Sequence, residues 1–504
     1  MDNILEFIYK RYNQFGDFYH VINVPNQYIM VQMYRKAKHY PANIEQRIID
    51  EDIKRMCTSA EQLQKLQADS EFVQPKSIFL RINILDIVAS SIPETFYKQI
   101  SYSATSIVEI SLAIALYYLV LQTYMFSGIE ITDTEQKNLI GRTDFYFTLQ
   151  ELKKVRGKTT KEELNRYIEI FAIDIADISV EKQIGLFLDD GIPFIICIAE
   201  FLDYMIFHLE DYFRNNASKQ EYSQYTATKG ETFEEMVYGM TKGLVQESYH
   251  TLYYYPNKTQ KMEIDVLFKD RDNVAVLECK SGTLNMAGLD SDDLIKLQIQ
   301  NKTKKAYRTL TAVTEYMENT EQYSFECKTQ KITGHADNPV CLHISMYPMD
   351  FIASNVHVMF PEYLEEKSPI LSLSIEHLLA MMLDAKKTNR NIFDYWKERK
   401  RDIQEHPGIY FDNNELDLYY EIVNEDKNTM LREMKRQGIL DQINPNARII
   451  STFHNEYGEE VRPANDMLET LDMFLFKNIL EKGKSWFGIN KRYLQNMEEY
   501  FLQR

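Results

Sequence analysis

Apolar and polar positions follow two different periods along this chain, and the places where the period changes mark its organisation. From residue 1 to about 220 the spacing is helical, in stretches such as EDIKRMCTSAEQLQKLQ and IPFIICIAEFLDYMIFHLEDYF, with few strand or hairpin signals. This predicts a large all-α N-terminal domain over 1–220. The polar stretch from Arg214 to Glu231 has the composition of an exposed linker. From Glu231 onward Phe233, Met236, Val237, Met240 and Leu244 recur at i, i+3, i+4, i+7 and i+11, one apolar helix face. Two β-rich runs follow, Glu263 to Phe268 and Val274 to Lys280, separated by KDRDN, and the simplest arrangement for them is a hairpin.

Further on, the pattern predicts a long helix from about Asp290 to Tyr316, a loop-rich segment over roughly 318–345, and strand-like runs at Leu342 to Met346 and Val356 to Phe360. Ser374 is placed to cap a helix beginning SIEHLLAMML, because its hydroxyl can accept an unpaired N–H of the first turn. The last hundred residues read as helical. The expected architecture is an α/β core over 221–405, a mixed sheet flanked by helices, with the all-α N-terminal domain before it and a helical C-terminal region, 406–504, after it.

Composition narrows the class. With 44% hydrophobic and 26% charged residues, 17 Gly and 13 Pro, the chain is neither disordered nor fibrous. The net charge of −18 disfavours a passive nucleic-acid coat, which needs an excess of basic charge over its whole surface. Five cysteines lie far apart, at 57, 197, 279, 327 and 341, which suits a reducing compartment. The opening MDNILEFIYKRYNQ mixes acids and bases before any long apolar run, unlike a secretory signal, so the expectation is a cytoplasmic protein. The apolar stretch Ile110 to Phe126 is short for a membrane span and contains Gln122, so no membrane partner is expected.

The chemistry is concentrated in about fifty residues: K-G-E-T-F-E-E-M-V, then E-I-D-V-L-F, then V-L-E-C-K-S-G. Alternation on a strand puts Glu278 and Lys280 on one face and Cys279 on the other. The hairpin brings Asp265 within reach of Glu278. Two close carboxylates repel each other unless a cation joins them. A hard ion such as Mg²⁺ or Mn²⁺ suits oxygen donors, here Asp265, Glu278 and the Cys279 carbonyl.

At these residues the chain resembles the PD-(D/E)XK, or restriction-endonuclease-like, nuclease superfamily. The resemblance covers about 231–310 well and extends weakly to 400. Gly230, Phe233 and Glu234 look like the family's first-helix motif, Asp265 like its Asp, and Glu278 with Lys280 like its E-x-K pair. Ile264 stands where the nominal pattern has Pro. The resemblance implies a nuclease core, with Glu234 contacting the metal or its water and Lys280 orienting the attacking water. By the same carry-over Gln300 is the polar residue on the following helix, with Lys304 one turn later on its face. It further implies hydrolysis of a nucleic-acid phosphodiester, with DNA favoured over RNA. A protein partner or a homodimer is expected where both strands of a duplex are cut. The large extra domain suggests, by analogy, a restriction or anti-phage defence effector. The competing expectation is an inert nuclease-like core in a protein-assembly or nucleic-acid-binding scaffold.

Other signals carry less. Cys327, His335, Cys341 and His343 are zinc-ligand types, but their spacing matches no compact zinc pattern. No G-x-S-x-G or Walker-type loop is present. Lys296, Lys302, Lys304, Lys305 and Arg308 form a basic run without an acid, suited either to a nucleic-acid backbone or to a solvated helix face. KKTNRNIFDYWKERKR, 386–401, carries seven bases against two acids with Tyr395 and Trp396. It has two readings as well: phosphate contacts with base stacking, or, the favoured one, a helix that anchors its aromatics in the core.

Overall fold

A computed structural model describes residues 76–112, 114–115, 161–174, 186–189, 192–195, 198–282, 292–328, 330–336, 338–347, 356–360, 363, 369–405, 415–424, 434, 453–454, 460–461 and 463–482. Two compact units divide the chain. One holds the described residues from 76 to 225 and those from 472 onward, and the other holds those from 226 to 471.

The first unit contains helices α1 (Ile78–Ser91), α2 (Glu94–Gln99), α3 (Lys161–Phe171) and α4 (Ile198–Asn216), and the start of α5 (Lys219–Thr241). Helix α1 is buried along nearly its whole length, with Arg81 paired to Asp203 at 2.7 Å, so its N-terminus needs internal partners for its free N–H groups. Asp472 provides them, accepting the Ile78 and Phe79 N–H groups at 3.1 Å each and the Ser77 hydroxyl. Ser77 in turn caps Leu80 at 3.2 Å.

This region is not all-α as expected. It also contains a three-stranded sheet of β1 (Ala172–Asp174), β2 (Leu186–Asp189) and β3 (Ile192–Ile195), with β2 and β3 antiparallel in the register Asp189↔Ile192. The sequence between them is Asp190-Gly191, the residue pair that a two-residue hairpin favours. The expected linker over 214–231 is also overturned, since α4 and α5 run through it. Its polar residues are the outer face of a helix whose inner face buries Tyr225 and Lys229.

The second unit is a mixed sheet flanked by helices, an α/β fold. Its seven strands stand in the order β10-β9-β6-β5-β4-β7-β8. Strands β4 (Glu247–Asn257), β5 (Gln260–Asp270) and β6 (Asn273–Lys280) form an antiparallel meander, with Arg271 in the left-handed region (φ 54°) at the β5–β6 turn. The chain then crosses through α6 (Asp292–Asn319) and the edge hairpin β7 (Tyr323–Glu326) and β8 (Lys331–Gly334). It returns as β9 (Val340–Ser345), parallel to β6, and β10 (Ile370–Ser374), parallel to β9. Strand β6 is buried from Val274 to Cys279, as a parallel-paired central strand covered on both faces should be.

On one face of the sheet Tyr307, Leu310, Val313 and Met317 of α6 pack with Val274, Val276, Leu252 and Tyr254. Helices α8 (Ile375–Lys387) and α9 (Ile392–Glu405) pack against β9 and β10. There Trp396, fully buried, stacks 6.3 Å from Phe268. Truncating so large a buried ring costs about 3–5 kcal/mol.

The expected hairpin, long helix and β9 are present, and Ser374 caps α8 by accepting the His377 N–H at 3.2 Å. Strands β4 and β10 lay outside the expectation, and β7 and β8 occupy the segment expected to be loop-rich. Val356–Met359 is a short helix, α7, instead of a strand. Helix α5 ends at Thr241, before Leu244, because Gly243 takes φ +89° and the Leu244 N–H bonds back to the Thr241 carbonyl at 2.9 Å. Helix α10 (Glu415–Asn424) follows α9. The C-terminal part also carries a two-residue strand pair, Phe453–His454 with Glu460–Val461, before the helix Pro463–Lys482. No described helix is long and apolar enough to cross a membrane, and residues 116–126 of the apolar stretch lie outside the described residues.

Candidate active site

The register of three strands assembles the site. The β5–β6 ladder runs from Asp270↔Asn273 to Val266↔Leu277 and ends there. One residue farther, Asp265 turns its side chain to the work of the ladder, and its Oδ2 accepts the Cys279 N–H at 2.6 Å. Strand β6 continues beside β9 to Lys280↔Ser345, and the Met346 N–H donates to the Lys280 carbonyl at 2.9 Å. Glu278 and Lys280 therefore stand on one face at the end of β6, held rigidly by the partner strand. The Lys280 ammonium donates to Glu278 Oε1 and, at 3.1 Å, to the Cys279 carbonyl.

Glu234 comes from α5, half-buried between the anchors Phe233 and Val237, both fully buried. The helix approaches the end of β6 at Gly230, where an added Cβ would lie 3.9 Å from Ser281 Oγ, an ordinary contact.

The electrostatics are those of crowded acids. Asp265 and Glu278 are only 9% and 6% exposed. Burial first, then the Asp265 charge, pushes the Glu278 carboxyl up to about 7 against the pull of Lys280. Burial and then Asp265 push Glu234 up to about 8, with Glu278 and Glu263 adding to it. Burial likewise raises Asp265, although Lys280 and the Cys279 N–H oppose it. Burial would lower Lys280, but Glu278 and Asp265 outweigh it and keep the ammonium charged. Lys280 draws all three acids down and Lys305 adds its pull on Asp265 and Glu278, yet all three stay raised.

As a donor set this fits a hard divalent ion. Carboxylates of Asp265 and Glu278 and the Cys279 carbonyl are oxygen donors, and such an ion fills its remaining positions with water and substrate phosphate. Among the described residues no group of three or more His, Cys, Asp or Glu side chains stands ready to hold a metal ion, so this donor set is two carboxylates and a backbone carbonyl. The Cys279 thiol is buried and pushed well above its ordinary range, so it is no nucleophile.

Of the weaker candidates, Gln300 lies half-buried on α6, and Lys304 is exposed one turn on. It is Lys305, not Lys304, whose charge reaches Asp265 and Glu278. The side chains of Lys296 and Lys302 lie outside the described residues. The zinc set is dispersed: Cys341 is buried beside the Thr314 hydroxyl at 2.9 Å, Cys327 faces the Gln330 carbonyl, and His335 is exposed. The base-stacking reading of 386–401 is overturned. Tyr395 and Trp396 are buried, Arg399 is paired to Glu415, and Lys400 donates to the Pro339 carbonyl at 3.0 Å.

Sequence reasoning missed His343 as a neighbour of the site. Its strand partners are Glu278 on β6 and Ser372 on β10, which places all three on one face. Its Nδ1 lies 3.2 Å from Ser372 Oγ, and Ser372 lies 3.3 Å from the Tyr307 hydroxyl. Burial, then Lys280, pushes His343 down to about 3, so it is neutral. Only the register, which no local pattern reveals, could have identified it.

Residues 229–331 match a domain of unknown function, DUF4143. That span takes in Glu234, Asp265, Glu278, Lys280 and Gln300. No curated protein matches the chain. Among solved structures the chain is similar to protein VC1899 from Vibrio cholerae at 12% identity, over 64% of this chain and 58% of that one, with a TM-score of 0.20.

Proposed function

We propose that the chain is a metal-dependent nuclease that hydrolyses nucleic-acid phosphodiesters, DNA in preference to RNA, and serves as a restriction or anti-phage defence effector. The observation that carries the reading is the crowding of carboxyl groups at the end of β6, where burial and Asp265 raise both Glu278 and Glu234 against the pull of Lys280. A protein gains nothing in stability from such crowding, and sites with strongly displaced acids are commonly functional.

Asp265, Glu278 and the Cys279 carbonyl would hold Mg²⁺ or Mn²⁺, which when bound supplies Lewis-acid polarisation of the scissile phosphate and a more acidic water. Glu234, raised to about 8 while the crowded acids lack a cation, would ionise once the site is filled, and its carboxylate would then accept the proton of the attacking water. Lys280 orients that water and offsets the negative charge that grows on the phosphate oxygens in the transition state. Gln300 is proposed to steady the substrate from α6. The defence role, the cytoplasmic setting and a partner or second copy for double-strand cutting rest on analogy with the resembling superfamily.

An inert scaffold is the second reading, and one observation favours it: Lys280 already sits on two of the proposed donors, Glu278 Oε1 and the Cys279 carbonyl. Cleavage of single- and double-stranded DNA and RNA with Mg²⁺, Mn²⁺ or EDTA separates the two. A nuclease cuts with metal alone and loses cutting in Glu278→Ala and Lys280→Ala. A scaffold cuts under no condition while all three proteins remain folded.

A further inference from the structure

The β4–β5 hairpin runs on past the core it helps to build. Burial along β4 stops at Tyr254, and residues 255–261 are exposed. The tip organises itself, since Asn257 Oδ1 accepts the N–H groups of Thr259 and Gln260 at 3.1 and 3.0 Å. The projecting arm is thus an ordered element that does not lean on the core. It carries Tyr255, 46% exposed and the one large apolar side chain left open to solvent among the described residues. It also carries Lys258 and Lys261, which form no ion pair among the described residues, in a chain whose net charge is −18. Lys261 is not loose: its ammonium lies 3.5 Å from the centre of the Tyr253 ring.

The arm is rooted beside the acids. Tyr253 is the strand partner of Glu263, two residues before Asp265. The Tyr253 hydroxyl is raised by Glu263 first and also senses the charge of Glu234, so the root of the arm and the acidic corner share one field. Lys261, Glu263 and Asp265 alternate along β5 onto one face, so that face runs from the acids out onto the arm. The features of the arm are an open aromatic ring and two ammonium groups, the combination by which proteins hold single strands through base stacking and phosphate contact.

We propose that the β4–β5 arm is the element that grips a single strand of nucleic acid next to the candidate active site, with Tyr255 stacking on a base and Lys258 and Lys261 contacting backbone phosphates. This rests on the nuclease reading for its biological sense but has its own readout. A protein surface is the competing occupant. The unpaired ammonium groups beside an otherwise acidic chain favour the polyanion.

The test uses the full chain in EDTA, so that nothing is cut, with a fluorescein-labelled oligothymidylate titrated at several salt concentrations. Wild type is compared with Tyr255→Ala and with Lys258→Ala/Lys261→Ala, whose melting temperatures should stay close to it because all three side chains are exposed and only the Lys261 contact with the Tyr253 ring is lost. Tyr255→Ala should weaken binding about tenfold without changing the salt dependence. The double variant should flatten the slope of log K against log salt by about 1.4, two single-strand phosphate contacts. Arm-dependent binding without cleavage in any metal would sustain the arm and remove the nuclease reading. Metal-dependent cleavage with binding indifferent to the arm would do the reverse. Failure of the wild type to bind, or variants that alter self-association and leave strand binding unchanged, would overturn the arm proposal.

Discussion

Two buried charge clusters in the same unit were built to opposite ends. Between α9 and α10, Arg399 and Glu415 are both almost wholly buried and form a two-pronged pair, Nε to Oε1 at 2.8 Å and Nη2 to Oε2 at 3.1 Å, with the Tyr395 hydroxyl completing Oε1 at 2.6 Å. Burial would lower the Arg399 pKa, yet Glu415 outweighs it and raises it further. Both oxygens of the Glu415 carboxylate have donors, and the buried Asp402 adds to the field that keeps Arg399 charged. At the end of β6 the pairing is looser: Lys280 meets Glu278 through Oε1, and burial with the neighbouring acids pushes Glu278 and Glu234 up to about 7 and 8. In the first cluster the Glu415 carboxylate is held in place by the two-pronged guanidinium and the Tyr395 hydroxyl. The second is arranged as though a further positive charge belongs there, and that difference separates a structural ion pair from a candidate catalytic one.

The contrast can be broken in order of effect. Glu415→Ala should destabilise the protein by about 3–5 kcal/mol in chemical denaturation, because the buried Arg399 loses its two-pronged carboxylate. Glu278→Gln should lower metal-dependent cleavage about 10²–10³-fold, the usual loss for one preorganised electrostatic group. The same variant should leave the metal-free protein at least as stable as wild type at pH 8, since it relieves repulsion. Ser374→Ala, which touches neither cluster, should cost about 1 kcal/mol through loss of the α8 cap and leave cleavage unchanged.

The smallest effect is a pH dependence. Glu234 and Glu278 have folded pKa values raised above the ordinary carboxyl range, so the native state binds more protons than the unfolded one in between. Their contribution to metal-free stability is present at pH below the ordinary carboxyl value, declines as pH rises, and is lost by about pH 8. Melting temperatures in EDTA should therefore show Glu234→Gln gaining on wild type from pH 5 to pH 9. A constant difference would mean that Glu234 is not crowded.

The site was legible where its residues lie close in sequence. Glu278 and Lys280 follow from strand alternation, Asp265 from a hairpin with a short turn, and Glu234 from the helical face around Phe233 and Val237. Positions set by long-range pairing were not legible. His343 meets Glu278 only through the β6–β9 register, and Lys305 reaches the acids only through the packing of α6 on the sheet. The N-terminal sheet was missed although Asp190-Gly191 signalled its hairpin, because the surrounding apolar runs are too short for periodicity to separate strand from helix. The basic aromatic run at 386–401 shows the converse: its composition suggests a surface, and only the burial of Trp396 against Phe268 reveals a core helix.

The central claim, that the acidic corner lacks a cation, is tested most directly by titrating Mn²⁺ into the metal-free full chain by calorimetry at pH 6.5 and 8, for wild type and Asp265→Asn. Saturable binding is expected that is tighter at pH 8, releases protons as Glu278 and Glu234 ionise, and disappears in Asp265→Asn. Binding that is absent at both pH values, or that survives Asp265→Asn unchanged, would contradict it.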